Sequence, residues 1–76
     1  MNVPEIDAAI MDSVNESWSK VAMVIVRAED VLGQIAPDRE ESMRVIANRI
    51  ESLVGSGKLI SQGNLSKWRN SEVRKA

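Results

Sequence analysis

Cysteine and histidine are both absent from the sequence. Thiol chemistry, most zinc sites and the commonest general base are thereby excluded. Any catalysis would fall to carboxylates, lysines and serines. Two carboxylate pairs occur, Glu29-Asp30 and Glu40-Glu41. Adjacent helical residues diverge by about 100° and do not face each other, so each pair reads as a solvated helix surface. Ser56 and Lys58 flank Gly57, and a serine beside a lysine can serve as a nucleophile, but no second motif supports the pair. Gly55-Ser56-Gly57-Lys58 also has half the composition of a phosphate-binding loop. Such a loop must lead into a helix, so that its amides point at phosphate. Here it follows a helical pattern and leads into a strand-like one. The expectation is a protein that is not an enzyme, with no cofactor, no metal and no small-molecule ligand.

Binding chemistry is the alternative, and charge is where to look for it. Two basic residues face six acidic ones from Met1 to Ala36, a net −4. Pro37 to Gly57 carries −1, and Lys58 to Ala76 carries +4, from Lys58, Lys67, Arg69, Arg74 and Lys75 against Glu72. Such asymmetry marks either an interaction tail or charge balance within one fold. Each of the five cations could neutralise a phosphate, with a steep salt dependence. Trp68 stands between Lys67 and Arg69, an arrangement that suits stacking on bases. It better suits closure of a core that has only two aromatic side chains, Trp18 and Trp68, to draw on, so the tail is expected to be a wing in shape and mainly a structural closure in purpose.

The elements that must position these groups follow from periodicity. Asn2 and Glu5 form a capping box with Pro4 in the first turn. Val3, Ile6, Ile10 and Val14 then recur at helical spacing, predicting a helix that ends near Asn15. A second helix is predicted from Trp18 to Leu32, apolar on nearly every side through its middle, and ended by Gly33 and Ala36-Pro37. Asp38 and Glu41 form a second capping box. It opens a third helix with the stripe Met43, Ile46, Ala47, Ile50, Leu53 and Val54, and Gly55 is expected as its C-terminal cap, helped by Gly57. Lys58 to Gln62 reads as a strand, Gly63-Asn64 as a two-residue turn and Leu65 to Arg69 as the return strand. That register would pair Gln62 with Leu65, Ile60 with Lys67 and Leu59 with Trp68, with Leu59 and Trp68 facing inward. Val73 has the opposite parity, and a bend near Asn70-Ser71 would bring it back to the core.

An apolar fraction of 43% in 76 residues suits a single folded domain, residues 1–76, with a thin aliphatic core. No apolar run approaches the roughly 20 residues of a membrane span and no signal peptide opens the chain. The expected location is the cytoplasm, with no membrane partner.

The expected fold class is mainly α with a C-terminal β-hairpin. Three helices followed by a hairpin is the order of a winged helix-turn-helix, and the passage from Arg49 through Leu53-Val54-Gly55-Ser56-Gly57 to Lys58-Leu59-Ile60 resembles the way such domains leave their third helix for the wing. Trp18-Ser19-Lys20-Val21-Ala22, Arg49 to Val54, Gly57-Lys58-Leu59, Gly63 and Arg69-Asn70-Ser71-Glu72-Val73-Arg74 also resemble a bacterial family of unknown function. Its members carry a tryptophan-lysine-valine-alanine segment and end in an Arg-x-Ser-Glu-Val-Arg phrase. In many of them this region ends a longer protein, whereas here it is expected to stand alone. The resemblance implies a shared fold, no assigned activity, and a structural role for Trp18, Arg69, Ser71, Glu72 and Arg74.

A winged helix brings DNA to mind only by analogy. On the third helix Asn48 could address adenine and Arg44 guanine, but Asp38, Glu40 and Glu41 crowd the turn that would enter the groove. The acidic pI, about 5.3, runs against a nucleic-acid module. The preferred expectation is a protein-interaction module, binding another protein or a second copy through Val24, Val26, Val45 and Asn48. DNA binding through the wing cations Lys58, Lys67, Arg69, Arg74 and Lys75 is the alternative. Glu72 and Arg74 are expected to pair with Arg49 or Glu51.

Overall fold

A computed structural model describes residues 2–76. The first helix, α1, spans Val3–Ser13. Asn2 caps it as expected, its Oδ1 accepting from the Glu5 amide at 3.0 Å. At the other end Ser13 Oγ donates to the Ala9 carbonyl, and Val14 turns the chain into extended backbone while staying buried.

The next segment corrects the sequence reading. Trp18 does not open a helix: Ser19–Lys20 form a short strand, β1, and α2 starts only at Val21 and runs to Leu32. The Val21 amide donates to the Ser71 carbonyl at 3.0 Å, so the group that would begin a longer helix is drawn into a sheet. Gly33 ends α2 with φ 76° and ψ −179°, backbone open essentially to glycine alone.

Helix α3 spans Arg39–Gly55. Asp38 caps it, but its carboxylate accepts from the Glu40 amide at 2.8 Å rather than from Glu41. Ahead of it, the Ile35 amide donates to the buried Ser42 hydroxyl, fixing the α2–α3 turn. The helix is capped at Ser56, and Gly57 rather than Gly55 takes the left-handed position that closes it. Gly57 has φ 85°, its amide donates to the Val54 carbonyl and the Lys58 amide to Leu53. These are the two bonds of a Schellman motif.

The hairpin forms with a longer connection than expected. Strand β2, Leu59–Gln62, pairs not with residues 65–69 but with β3, Glu72–Lys75, in the register Leu59↔Lys75, Ile60↔Arg74, Ser61↔Val73 and Gln62↔Glu72. Leu65–Asn70 is a kinked 3₁₀ segment. A two-residue hairpin turn needs positive φ at both positions (type I′), or at the first with ψ near 0° at the second (type II′), and the Asn64 ψ of 109° fits neither. Gly63 has φ 85°, but Asn64 has φ −92° and instead caps the 3₁₀ segment, its Oδ1 accepting from the Ser66 amide and hydroxyl.

Strand β1 joins the other edge of β3 through Ser19↔Val73 and Lys20↔Glu72, so the sheet order is β1-β3-β2. The element order α1-β1-α2-α3-β2-β3 with this sheet is a winged-helix-like fold. Its core is aliphatic: Ile10, Val21, Val24, Ile25, Ile46 and Ile50 from the helices meet Leu59 and Val73 from the sheet. Val73 does return to the core, because the backbone turns extended at Ser71 and a new strand starts at Glu72.

Candidate interaction surface

One face of the sheet is turned inward and the other is open. Leu59 and Val73 are buried on the inner face. Alternation along the strands places their neighbours outward. Lys20, Glu72 and Gln62 form one row across the three strands. Trp18, Arg74 and Ile60 form the next, Arg74 lying opposite Ile60 and its guanidinium 5.1 Å from the Trp18 ring centre. Trp18 and Ile60 are 39% and 38% exposed, high for large apolar side chains. Gln62 Nε2 donates to Glu72 Oε1 at 2.7 Å, holding that carboxylate within the face. Arg69 reaches the end of this face, where it lines a shallow hollow of about 230 Å³ with Lys20 and Glu72.

A second concavity, about 420 Å³, lies between α3 and the 3₁₀ segment. Ala47, Leu65 and Trp68 supply its apolar lining, and Arg44, Arg69, Glu40 and Glu51 its charges, beside Asn48. Here the guanidinium of Arg69 stacks over Trp68 at 4.7 Å. Trp68 is half-buried and packs on the core, but from the 3₁₀ segment rather than from a return strand opposite Leu59.

Of the residues assigned to a partner surface from sequence, Val24 is corrected. It is fully buried, because α2 lies among α1, α3, β1 and the 3₁₀ segment and needs apolar side chains in several directions. Val26 and Val45 are half-buried, Val45 against the core, and Asn48 is exposed in the second concavity. The structure does not gather these four into one patch. The wing cations divide similarly: Lys58 precedes β2, Lys67 and Arg69 lie in the 3₁₀ segment, and Arg74 and Lys75 in β3.

The pairing of Glu72 or Arg74 with Arg49 or Glu51 is also corrected. Arg49 is held by Asp7 of α1, Nε to Oδ1 and Nη2 to Oδ2 both at 2.9 Å. The hydrogen bonds to Asp7 raise the guanidinium above its ordinary range, with charge attraction adding to them and desolvation opposing. Arg39 approaches Glu29 at 3.6 Å. Among the described residues these are the ion pairs, and both use cations of α3. Within the same residues, none of the five cations after Gly57 has a carboxylate at ion-pairing distance. The Ser56 hydroxyl donates to the Leu53 carbonyl, a capping contact rather than a bond to Lys58.

Sequence reasoning missed the open face because it made Trp18 helical. The usable signal was the inward Leu59 beside Ile60, which forces Ile60 outward.

No helix among the described residues is long and apolar enough to cross a membrane. No family model matches the chain, and neither a curated protein nor a solved structure matches it.

Proposed function

We propose that the chain is a non-enzymatic protein-interaction module that presents the open face of its sheet to another protein. The observation that carries this reading is the row Trp18–Arg74–Ile60, two exposed apolar side chains flanking a cation on a face that no helix covers. Tryptophan and arginine are the residue types most concentrated in the energetic centres of protein interfaces. A photo-crosslinking residue in place of Ile60 tests the reading in cells. Protein adducts that diminish with Trp18→Ala are expected; adducts with nucleic acid alone, or none, would sink it.

DNA binding is a second reading, favoured by one observation. The concavity beside α3 brings Arg44 and Asn48 together with Arg69 and Trp68. Against it, the exposed positions of α3 carry Arg39 and Arg44 but also Glu40, Glu41 and Glu51, and carboxylates oppose phosphate. Titrating isotope-labelled protein with mixed-sequence duplex DNA, first at low and then at physiological salt, separates the readings. Salt-sensitive amide shifts on α3 and the 3₁₀ segment would favour DNA.

A further inference from the structure

We infer that the partner of the open sheet face is an acidic amphipathic helix, laid across the strands with an acidic side chain on Arg74 and apolar ones on Trp18 and Ile60. The inference rests on the protein-interaction reading and adds the chemistry of the partner.

Charge complementarity is the first argument. Lys20, Arg69 and Arg74 lie on or at the end of the face against the single carboxylate of Glu72, which already accepts from Gln62. Among the described residues no carboxylate comes within ion-pairing distance of those cations. The guanidinium carbon of Arg74 lies 5.1 Å from the Trp18 ring centre and its Nη1 donates to the Lys75 carbonyl at 3.4 Å, which leaves Nε and Nη2 for a bidentate acceptor such as a carboxylate.

Spacing is the second argument. The apolar–cation–apolar row runs across the strands, not along one. Neighbouring strands lie about 4.8 Å apart, so the two apolar ends are separated by about 9.6 Å. Positions i and i+7 of a helix rise about 10.5 Å, with i+4 between them on the same face. An apolar–acidic–apolar triplet at i, i+4 and i+7 therefore matches the row. A strand added in the plane of the sheet would bond at an edge and leave this row untouched.

A polyanion matches less well. Glu72 lies within the face, and Trp18 has one side occupied by Arg74, leaving less of its ring for a base.

The test uses the full isotope-labelled chain and a helix-forming peptide with leucine, glutamate and leucine at i, i+4 and i+7. The control peptide carries lysine for glutamate, and an oligothymidylate serves as polyanion. With about 1 mM peptide, enough to reveal weak binding, the acidic peptide is expected to shift the Trp18 indole and the amides of Lys20, Ile60 and Arg74 while sparing Trp68. Arg74→Glu should weaken it at least about tenfold and turn the preference toward the lysine peptide. Lys20→Glu, in the other row, should weaken it without that reversal. An unchanged far-UV spectrum checks that both variants fold. Equal response to both peptides, no response, a stronger response to oligothymidylate, or the same shifts on self-dilution, which would indicate a second copy, each overturns the inference. If crosslinks from position 60 reach protein in cells while the acidic peptide leaves Trp18 unmoved, the interaction reading stands and the acidic-helix assignment falls. If neither occurs, both fall.

Discussion

Gly63 and Gly57 share the same φ, 85°, yet substitution by alanine should cost very different amounts. The conformational penalty for an L-residue in this region is about 1–2 kcal/mol. Loss of unfolded-state freedom offsets about 0.4–1 kcal/mol of it. A Cβ at Gly57 meets nothing within 4 Å, so Gly57→Ala should destabilise by about 1 kcal/mol. A Cβ at Gly63 would lie 2.9 Å from the Asn70 carbonyl oxygen and 3.2 Å from Ser71 Cα. Both are backbone atoms, and Ser71 also accepts the Val21 amide that ties β1 to β3. Relief would have to move the start of β3. Overpacking of this kind adds about 1–3 kcal/mol, giving about 2–4 kcal/mol in all for Gly63→Ala. For a domain of this size each kcal/mol lowers Tm by about 4–8 °C. Urea and thermal unfolding followed by tryptophan fluorescence and far-UV dichroism would measure both variants. Asparagine sharpens the comparison, since it tolerates positive φ but still carries Cβ. Gly57→Asn should recover much of the alanine loss and Gly63→Asn little. If Gly63→Ala proves no more costly than Gly57→Ala, the close approach of the two ends of the 3₁₀ segment is not what limits this turn.

Three further outcomes are expected. Trp68→Ala should destabilise by about 2–3 kcal/mol, from roughly 100 Å² of apolar surface lost from a half-buried tryptophan, whereas Trp18→Ala should cost under about 1 kcal/mol; equal melting temperatures for the two variants would contradict the placement of the rings. Val24→Ala should cost about 1–3 kcal/mol in chemical denaturation, while a neutral result would return Val24 to the surface. Arg49→Lys should lower Tm, because lysine cannot hold both oxygens of Asp7. The folded-state pKa of Arg49 is raised, so the pair's contribution is present below the unfolded value and lost only as pH rises through the folded one. The Tm difference between the parent protein and the Arg49→Lys variant should therefore be the same at neutral pH and in mild alkali, and a difference that closes there would argue against the pair.

The helices were legible because their signals are local. Asn2 and Asp38 cap where they stand, and the stripe from Met43 to Val54 can turn only one face to a core. The sheet was less legible because its partners are far apart in the chain. Trp18-Ser19-Lys20 has no strand signal of its own and is extended only because β3 arrives beside it. Gly63-Asn64 carries a strong turn signal, but the asparagine side chain found Ser66 as a closer partner, and the return strand moved seven residues along. That shift displaced the basic residues with it. Arg69 went to the 3₁₀ segment and Arg74 to the open face, so the arrangement of the cations could not be read before the register was known.

The register also bears on the two meanings of the charge asymmetry. If the basic C-terminal segment served to balance the acidic helices within the fold, its cations should lie against the carboxylates of α1 and α2. They do not: Asp7 takes Arg49 and Glu29 is approached by Arg39, both from α3. Arg69 and Arg74 lie over tryptophan rings instead. Surface charges contribute little to stability when exposed and widely spaced, so balance within the fold gives no reason for five cations to gather after Gly57. The acidic partner proposed above would use Arg69 and Arg74 of these five, together with Lys20. The winged-helix-like shape alone would direct attention to α3 as a reader of nucleic acid. The distribution of charge supports the proposed use of the sheet instead, since exposed carboxylates punctuate α3 while the open face sets its cations beside apolar side chains.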